Sequence, residues 1–143
     1  MPAKFERLGV TFQYPENWRL DEEEALAGNH SVSVYTPDGG GFWTVSIHPR
    51  SADPAKLSRA AVKAMKEEYD SLEAVPVEES VVDCDLVGYD LNFYCFDLLS
   101  SAAVRSFRTD RATLTIFYQA EDRQFDALVP VFQAITRSLL NEL

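Results

Sequence analysis

The side chains able to do chemistry are few and widely spaced in this 143-residue chain. It has two histidines, His30 and His48, so a histidine-rich metal centre is not available. His48 precedes Pro49-Arg50 and reads as a polar strand-end residue. Cys84 and Cys95 stand eleven apart, which is neither a redox pair nor a zinc spacing. A turn at Gly88 puts Cys84 opposite Leu91 or Phe93, predicting two unpaired, buried thiols that behave as small hydrophobes. The run Asp21-Glu22-Glu23-Glu24 has the charge to attract calcium, but it lacks the ligand order and distant glutamate of an EF-hand and reads as a solvated acidic loop. Gly39-Gly40-Gly41 leads into a strand rather than a helix, so it is a hairpin turn and not a phosphate cradle. No nucleophile elbow, paired-histidine zinc motif or nucleotide-binding glycine loop occurs. The expectation is therefore no catalytic residue, no metal and no cofactor.

Binding residues remain. Trp43 alternates with Val45 and Ile47, which predicts burial on their face, yet an exposed Trp43 would be the natural centre of an interface. Trp18 closes a turn and belongs to the core. With Asp21, Glu22, Glu23, Glu24 and Asp38, Trp43 defines a candidate surface for a basic protein partner, and the expected function is a non-catalytic interaction or adaptor module. The alternative is a small-molecule-binding protein or enzyme with a pocket between sheet and helix, into which Glu68, Tyr94, Arg105 or Arg108 turns. A net charge of −10 repels phosphate backbones and anionic lipid, so neither nucleic acid nor membrane is an expected partner. The start Met-Pro-Ala-Lys-Phe-Glu-Arg lacks the apolar segment of a signal peptide, and no stretch approaches the roughly 18 apolar residues of a membrane span. The expected compartment is cytoplasmic.

The positioning elements follow from period and punctuation. Val10, Phe12 and Tyr14 alternate with Thr11 and Gln13, Leu8-Gly9-Val10 is a turn, and Pro15 ends the pairing, giving an N-terminal hairpin. A loop is expected through Ala27-Gly28-Asn29. Residues 30–36 and 42–48 form a second hairpin across the glycine run. Asp53-Pro54 caps a helix over 53–72 whose apolar side carries Leu57, Ala61, Met65, Tyr69 and Leu72, with Glu68 close to that side. Segments 79–86, 89–99, 102–109 and 112–120 read as antiparallel strands, because links this short exclude crossovers. Leu91 to Asp97 is apolar in both phases, predicting a central strand covered on both faces. A last helix begins at Glu121-Asp122, carries Phe125, Leu128, Phe132, Ile135 and Leu139 on one stripe, and contains Pro130, which predicts a kink or a division. The whole is one domain over 1–143: α+β, a mainly antiparallel sheet of six or seven strands with helices on opposite faces.

This order of elements, with Tyr14-Pro-Glu-Asn-Trp18, Arg108-Thr-Asp-Arg-Ala-Thr-Leu-Thr-Ile-Phe-Tyr118 and Ile135-Thr-Arg-Ser-Leu139, resembles the PsbP-like superfamily. That group includes the extrinsic photosystem II protein, a Ran-binding nuclear import factor, and bacterial PsbP/DcrB-like relatives, some of them chaperones for secreted effectors. The resemblance implies an α/β/α sandwich and a binding role without catalysis. The acidic run at 21–24 stands near where the Ran-binding relative also carries acidic residues, but no residue of that surface carries over.

Overall fold

The computed structural model describes residues 2–24 and 30–143, with the side chains of Glu23 and Glu24 left out of the description; the loop expected at 27–29 therefore lies outside the described residues. The chain opens with a separate hairpin, β1 (Pro2–Arg7) and β2 (Val10–Pro15), and continues as β3 (Arg19–Glu24), β4 (His30–Tyr35), β5 (Gly41–Pro49), α1 (Pro54–Glu68), β6 (Glu73–Val81), β7 (Cys84–Cys95), β8 (Leu98–Arg108), β9 (Ala112–Glu121) and α2 (Asp122–Asn141). Strands β3 to β9 make one seven-stranded sheet in the order β3-β4-β5-β9-β8-β7-β6, and every neighbouring pair is antiparallel.

Side-chain alternation divides the core between the two faces of this sheet. Val32, Val34, Trp43, Val45, Leu114 and Ile116 meet α2 and the β1–β2 hairpin on one face. Leu91, Phe93, Ala102 and Val104 meet Val62 of α1 on the other. The expected sandwich, helices on opposite faces, is what the chain builds. On the α2 face Phe12 lies 4.9 Å from Trp43, and Phe132 lies 4.8 Å from Tyr118 and 6.0 Å from Trp18, ring centre to ring centre. The Trp18 amide donates to the Pro15 carbonyl at 3.0 Å and closes the turn that delivers its ring to this core.

Both helices differ in detail from the sequence reading. Asp53 caps α1 by accepting from the Lys56 amide at 3.2 Å, as expected. The helix ends at Glu68, and the residues it buries are Ser58 and Val62. Glu68 is exposed, so its carboxylate is solvated. The Ser58 hydroxyl donates to the Val87 carbonyl at 3.0 Å and shares a hydrogen bond with the Ser106 hydroxyl at 2.8 Å, which continues to Thr115 at 3.0 Å. This buried hydroxyl chain pins α1 to the sheet. Helix α2 runs through Pro130 undivided. Pro130 is exposed, so the carbonyl it leaves without a partner in the preceding turn is within reach of water.

The meander departs most from expectation. Gly88 is no turn; it lies inside β7, paired to Val77 on one side and Arg105 on the other. A Cβ at Gly88 would stand 1.8 Å from the Val104 carbonyl oxygen, and this close approach is why the position needs glycine. The turns are Val82-Asp83 and Phe96-Asp97, each with positive φ at both residues, as in the Leu8-Gly9 turn. Two-residue links of that geometry match the twist of the strands they join. Cys84 and Cys95 are therefore the two ends of one strand, about 36 Å apart at ordinary strand rise, and both are free thiols. They are half-buried rather than buried.

Candidate functional site

The acidic run at 21–24 is not a loop. It is the edge strand β3, paired to β4, and charged side chains on an edge strand discourage pairing with another chain. The strand's alternation separates its acids: Glu22 is ion-paired with Arg7 of the hairpin at 3.2 Å, whereas Asp21 is exposed and belongs to the opposite phase. Asp38 organises its own turn, accepting from the Thr36 hydroxyl at 2.7 Å, the Gly40 amide at 2.9 Å and the Gln124 side chain at 3.1 Å. Its carboxyl is held below the usual range, first by the Gly40 amide and then by Thr36 and Gln124. Trp43 is wholly buried, its indole N–H donating to the Thr136 hydroxyl of α2 at 3.0 Å. Among the candidates whose side chains are described, Asp21, Glu22, Asp38 and Trp43 do not converge on one surface, and Trp43 belongs to the core; the side chains of Glu23 and Glu24 lie outside the described residues.

Convergence occurs elsewhere. Helix α2 packs on β2, β5, β8 and β9, while the sheet continues past it into β7 and β6. Above that uncovered part, where Ser101 and Ala103 present short side chains, lies a cavity of about 510 Å³, walled by Val77, Val81 and Leu86 from the sheet and by Phe125, Val129 and Gln133 from α2. Arg105 of β8 forms its floor. Of the four residues expected to turn into such a pocket it is the one that does. Tyr94 is exposed, Glu68 is solvated, and Arg108 donates to the carbonyls of Arg50 and Ala52 at 2.9 and 3.0 Å, bracing the start of α1.

The Arg105 side chain is 7% exposed and its guanidinium is nearly saturated. Nε donates to Glu79 Oε1 at 2.8 Å, Nη2 to Asp90 Oδ1 at 2.7 Å, and Nη1 to the carbonyls of Tyr89 and Val104, each at 3.0 Å. These contacts engage four of the five N–H groups of a guanidinium. Burial pulls the pKa of this group down, but the hydrogen bonds and charges of Asp90 and Glu79 outweigh burial and hold it above its ordinary value. The carboxylates are open to the cavity mouth, 42% and 56% exposed, and each gives only one oxygen to Arg105. Two carboxylates around one guanidinium leave one net negative charge beside apolar walls. Burial raises the Tyr118 phenol, which also lines the cavity, so it remains a protonated donor at neutral pH.

A second, larger cavity of about 830 Å³ lies at the other end of the sheet and gathers His30, His48, Cys84 and Arg108, residues far apart in sequence with no shared motif. Burial lowers the pKa of His48 and raises that of Cys84. Among the described residues no group of three or more His, Cys, Asp or Glu is placed to hold a metal ion, and no helix is long and apolar enough to cross a membrane. Sequence reasoning named Arg105 but missed Glu79 and Asp90, because a turn at Gly88 shifts Glu79 against β7, and a link at Ser100-Ser101 between the 89–99 and 102–109 segments shifts Asp90 against β8.

No protein-family model matches this sequence, and no curated protein matches it either. Solved structures do. The solution structure of cyanobacterial PsbP from Synechocystis is similar over 96% of this chain and 90% of its own, with a TM-score of 0.66 and 14% identity. A Pseudomonas aeruginosa protein of unknown function, PA94, is similar over 96% and 95% at a TM-score of 0.52 and 9% identity. A Bacteroides thetaiotaomicron protein is similar over 94% of this chain at a TM-score of 0.57 and 17% identity, and this chain spans 46% of its length. At such identities the likeness concerns architecture alone. With a seven-stranded antiparallel sheet between α1 on one face and α2 with the opening hairpin on the other, the chain has the PsbP-like fold.

Proposed function

We propose that this chain is a non-catalytic binding module, and that its cavity over Arg105 holds a small organic ligand with an ammonium head and an apolar body. The observation that carries this is the saturation of Arg105. A buried arginine in a pocket first suggests an anion receptor, but an anion here would have to displace two carboxylates already in place. A cation instead meets a net negative floor through the free oxygens of Glu79 and Asp90, while Val77, Val129 and Phe125 receive the apolar part. Arg137 also lines the cavity, but it is exposed on α2, where water and salt screen it. The non-catalytic reading is supported by the lining itself. It contains no histidine or cysteine; the Thr136 hydroxyl is bonded to the Phe132 carbonyl, and the Ser101 hydroxyl donates to the Asp122 carboxylate with no histidine between them, so the serine lacks the imidazole relay of a hydrolase triad.

Titration with hexylamine, hexanoate and hexanol, followed by calorimetry and amide NMR, tests the proposal. Hexylamine is expected to bind and to shift the resonances of Arg105, Tyr118 and Val129, with hexanoate much weaker. Val129→Trp, which fills the cavity, is expected to abolish binding. Equal affinity for hexanoate, or no binding of hexylamine at millimolar concentration, would end this reading. The interaction or adaptor reading has a different observation in its favour, the exposed apolar end of the β7–β8 hairpin.

A further inference from the structure

The β7–β8 hairpin projects beyond both helices: α1 stops at Glu68, and α2 starts at Asp122, whose carboxylate accepts from Ser101. At its end Phe96 is 96% exposed, with Tyr94, Leu98 and Leu99 at 58%, 44% and 40%. Nothing among the described residues covers Phe96. Its ring is in water, and its φ of +52° lies in the left-handed region, where asparagine or glycine suits a two-residue turn and a phenylalanine is strained. Leu8 occupies the equivalent position of the first hairpin with its side chain packed against the core, so an apolar residue there is accounted for in one turn and not in the other.

We infer that the Phe96 end of this hairpin docks into an apolar slot, rimmed by lysine or arginine, on a partner protein. Charge selects this occupant. Asp97 shares the turn, Glu73 of β6 sits opposite Asn92 of β7, and the exposed Glu68 precedes Tyr69, whose hydroxyl meets Cys95 at 3.8 Å; Glu121 of β9, opposite Ser100, is paired with Arg123, and the two cancel. An acidic collar around an apolar tip complements a basic rim around an apolar slot, which is the arrangement that steers association and fixes register. A second copy of this chain brings another −10 charges, and anionic lipid brings the same sign, so both are disfavoured. This interface deepens the protein-interaction reading and involves no residue of the Arg105 cavity.

The test is selection of a random phage-displayed peptide library on the intact chain, compared with Phe96→Asn. Enriched peptides are expected to combine Lys or Arg with apolar residues, to weaken as salt rises, and to lose about ten-fold or more in affinity to Phe96→Asn. Because asparagine suits the turn, the variant's urea midpoint is expected to stay level or rise, so lost binding is not lost folding. Hexylamine binding to Phe96→Asn, expected unchanged, keeps failure here distinct from failure of the cavity proposal. The inference is overturned by no enrichment, by peptides lacking basic residues, or by peptides indifferent to Phe96→Asn. It is equally overturned if Phe96→Asn abolishes self-association in sedimentation, or abolishes co-flotation with phosphatidylcholine vesicles, since either result assigns the tip to another occupant.

Discussion

Removing Arg105 is expected to cost less than removing the acids that pair with it. Arg105→Met keeps a long apolar stem in the cavity floor and discards the charge. What it loses are the two hydrogen bonds from Nη1 to the carbonyls of Tyr89 and Val104, about 1 kcal/mol each, and two charge-assisted hydrogen bonds to carboxylates that are 42% and 56% exposed, pairs that water screens to about 0–1 kcal/mol each. What it gains is release from the desolvation of a guanidinium whose side chain is 7% exposed, a penalty of several kcal/mol in its own right. The two nearly cancel, so the variant is expected within about 1.5 kcal/mol of the parent, in either direction. The double variant Glu79→Gln, Asp90→Asn leaves the buried cation without a countercharge and is expected to lose about 3 kcal/mol or more, a large part of the roughly 5–15 kcal/mol a domain possesses. In the Arg105→Met background the same double change is expected to cost under about 1 kcal/mol, a coupling of at least about 2 kcal/mol. Urea unfolding of the four proteins, with unchanged m-values, measures this. An Arg105→Met loss above about 3 kcal/mol, or a double variant that loses under about 1, would refute the reasoning. Hexylamine is expected to bind Arg105→Met more tightly than the parent, since a competing cation has gone.

The two glycines Gly88 and Gly9 separate space from conformation. Gly88→Ala drives a methyl into the Val104 carbonyl and is expected to cost about 3 kcal/mol or more, while Gly9→Ala, with nothing within 4 Å and only a φ of +80° to satisfy, is expected to cost about 1–2; equal losses would contradict the close approach. Phe132→Ala, at a wholly buried ring touching Tyr118 and Trp18, is expected to lose about 3–5 kcal/mol in the same assay, and a loss below about 1 would show that α2 is not part of the cooperative core. His48 titrates below its ordinary 6.5 because burial disfavours the imidazolium, so the unfolded chain takes up this proton first; its contribution is present above pH 6.5 and is lost as pH falls through the lowered folded value. His48→Gln is expected to flatten the fall in urea midpoint as pH drops below 6.5, and an unaltered fall would show that His48 contributes nothing to it.

The elements legible in the sequence are those whose signal is local and repeated. The stripe of α2 from Phe125 to Leu139, the Asp53-Pro54 start of α1 and the alternation of β2 each state a periodicity that the structure keeps. The meander was misread because its turns carry no glycine or proline. Val82-Asp83 and Phe96-Asp97 adopt left-handed φ with ordinary side chains, imposed by the strands they join, while the glycine that looks like a turn serves a contact with Val104. A run of four acids reads as a loop because edge strands tolerate charge that interior strands do not.

By itself the sequence determined the class: enough apolar periodicity for two helices and an antiparallel sheet, and an acidic balance. Burial and proximity were decided only by the tertiary structure. Trp43 lies at the core because β5 sits under α2, and Arg105 is a saturated cation because β6 and β7 bring Glu79 and Asp90 to it. Phe96 stands in water because the hairpin outruns both helices. Periodicity reports which face of an element is apolar, whereas the environment of a single polar or aromatic side chain depends on register between strands far apart in the chain, and one misplaced turn shifts all of it.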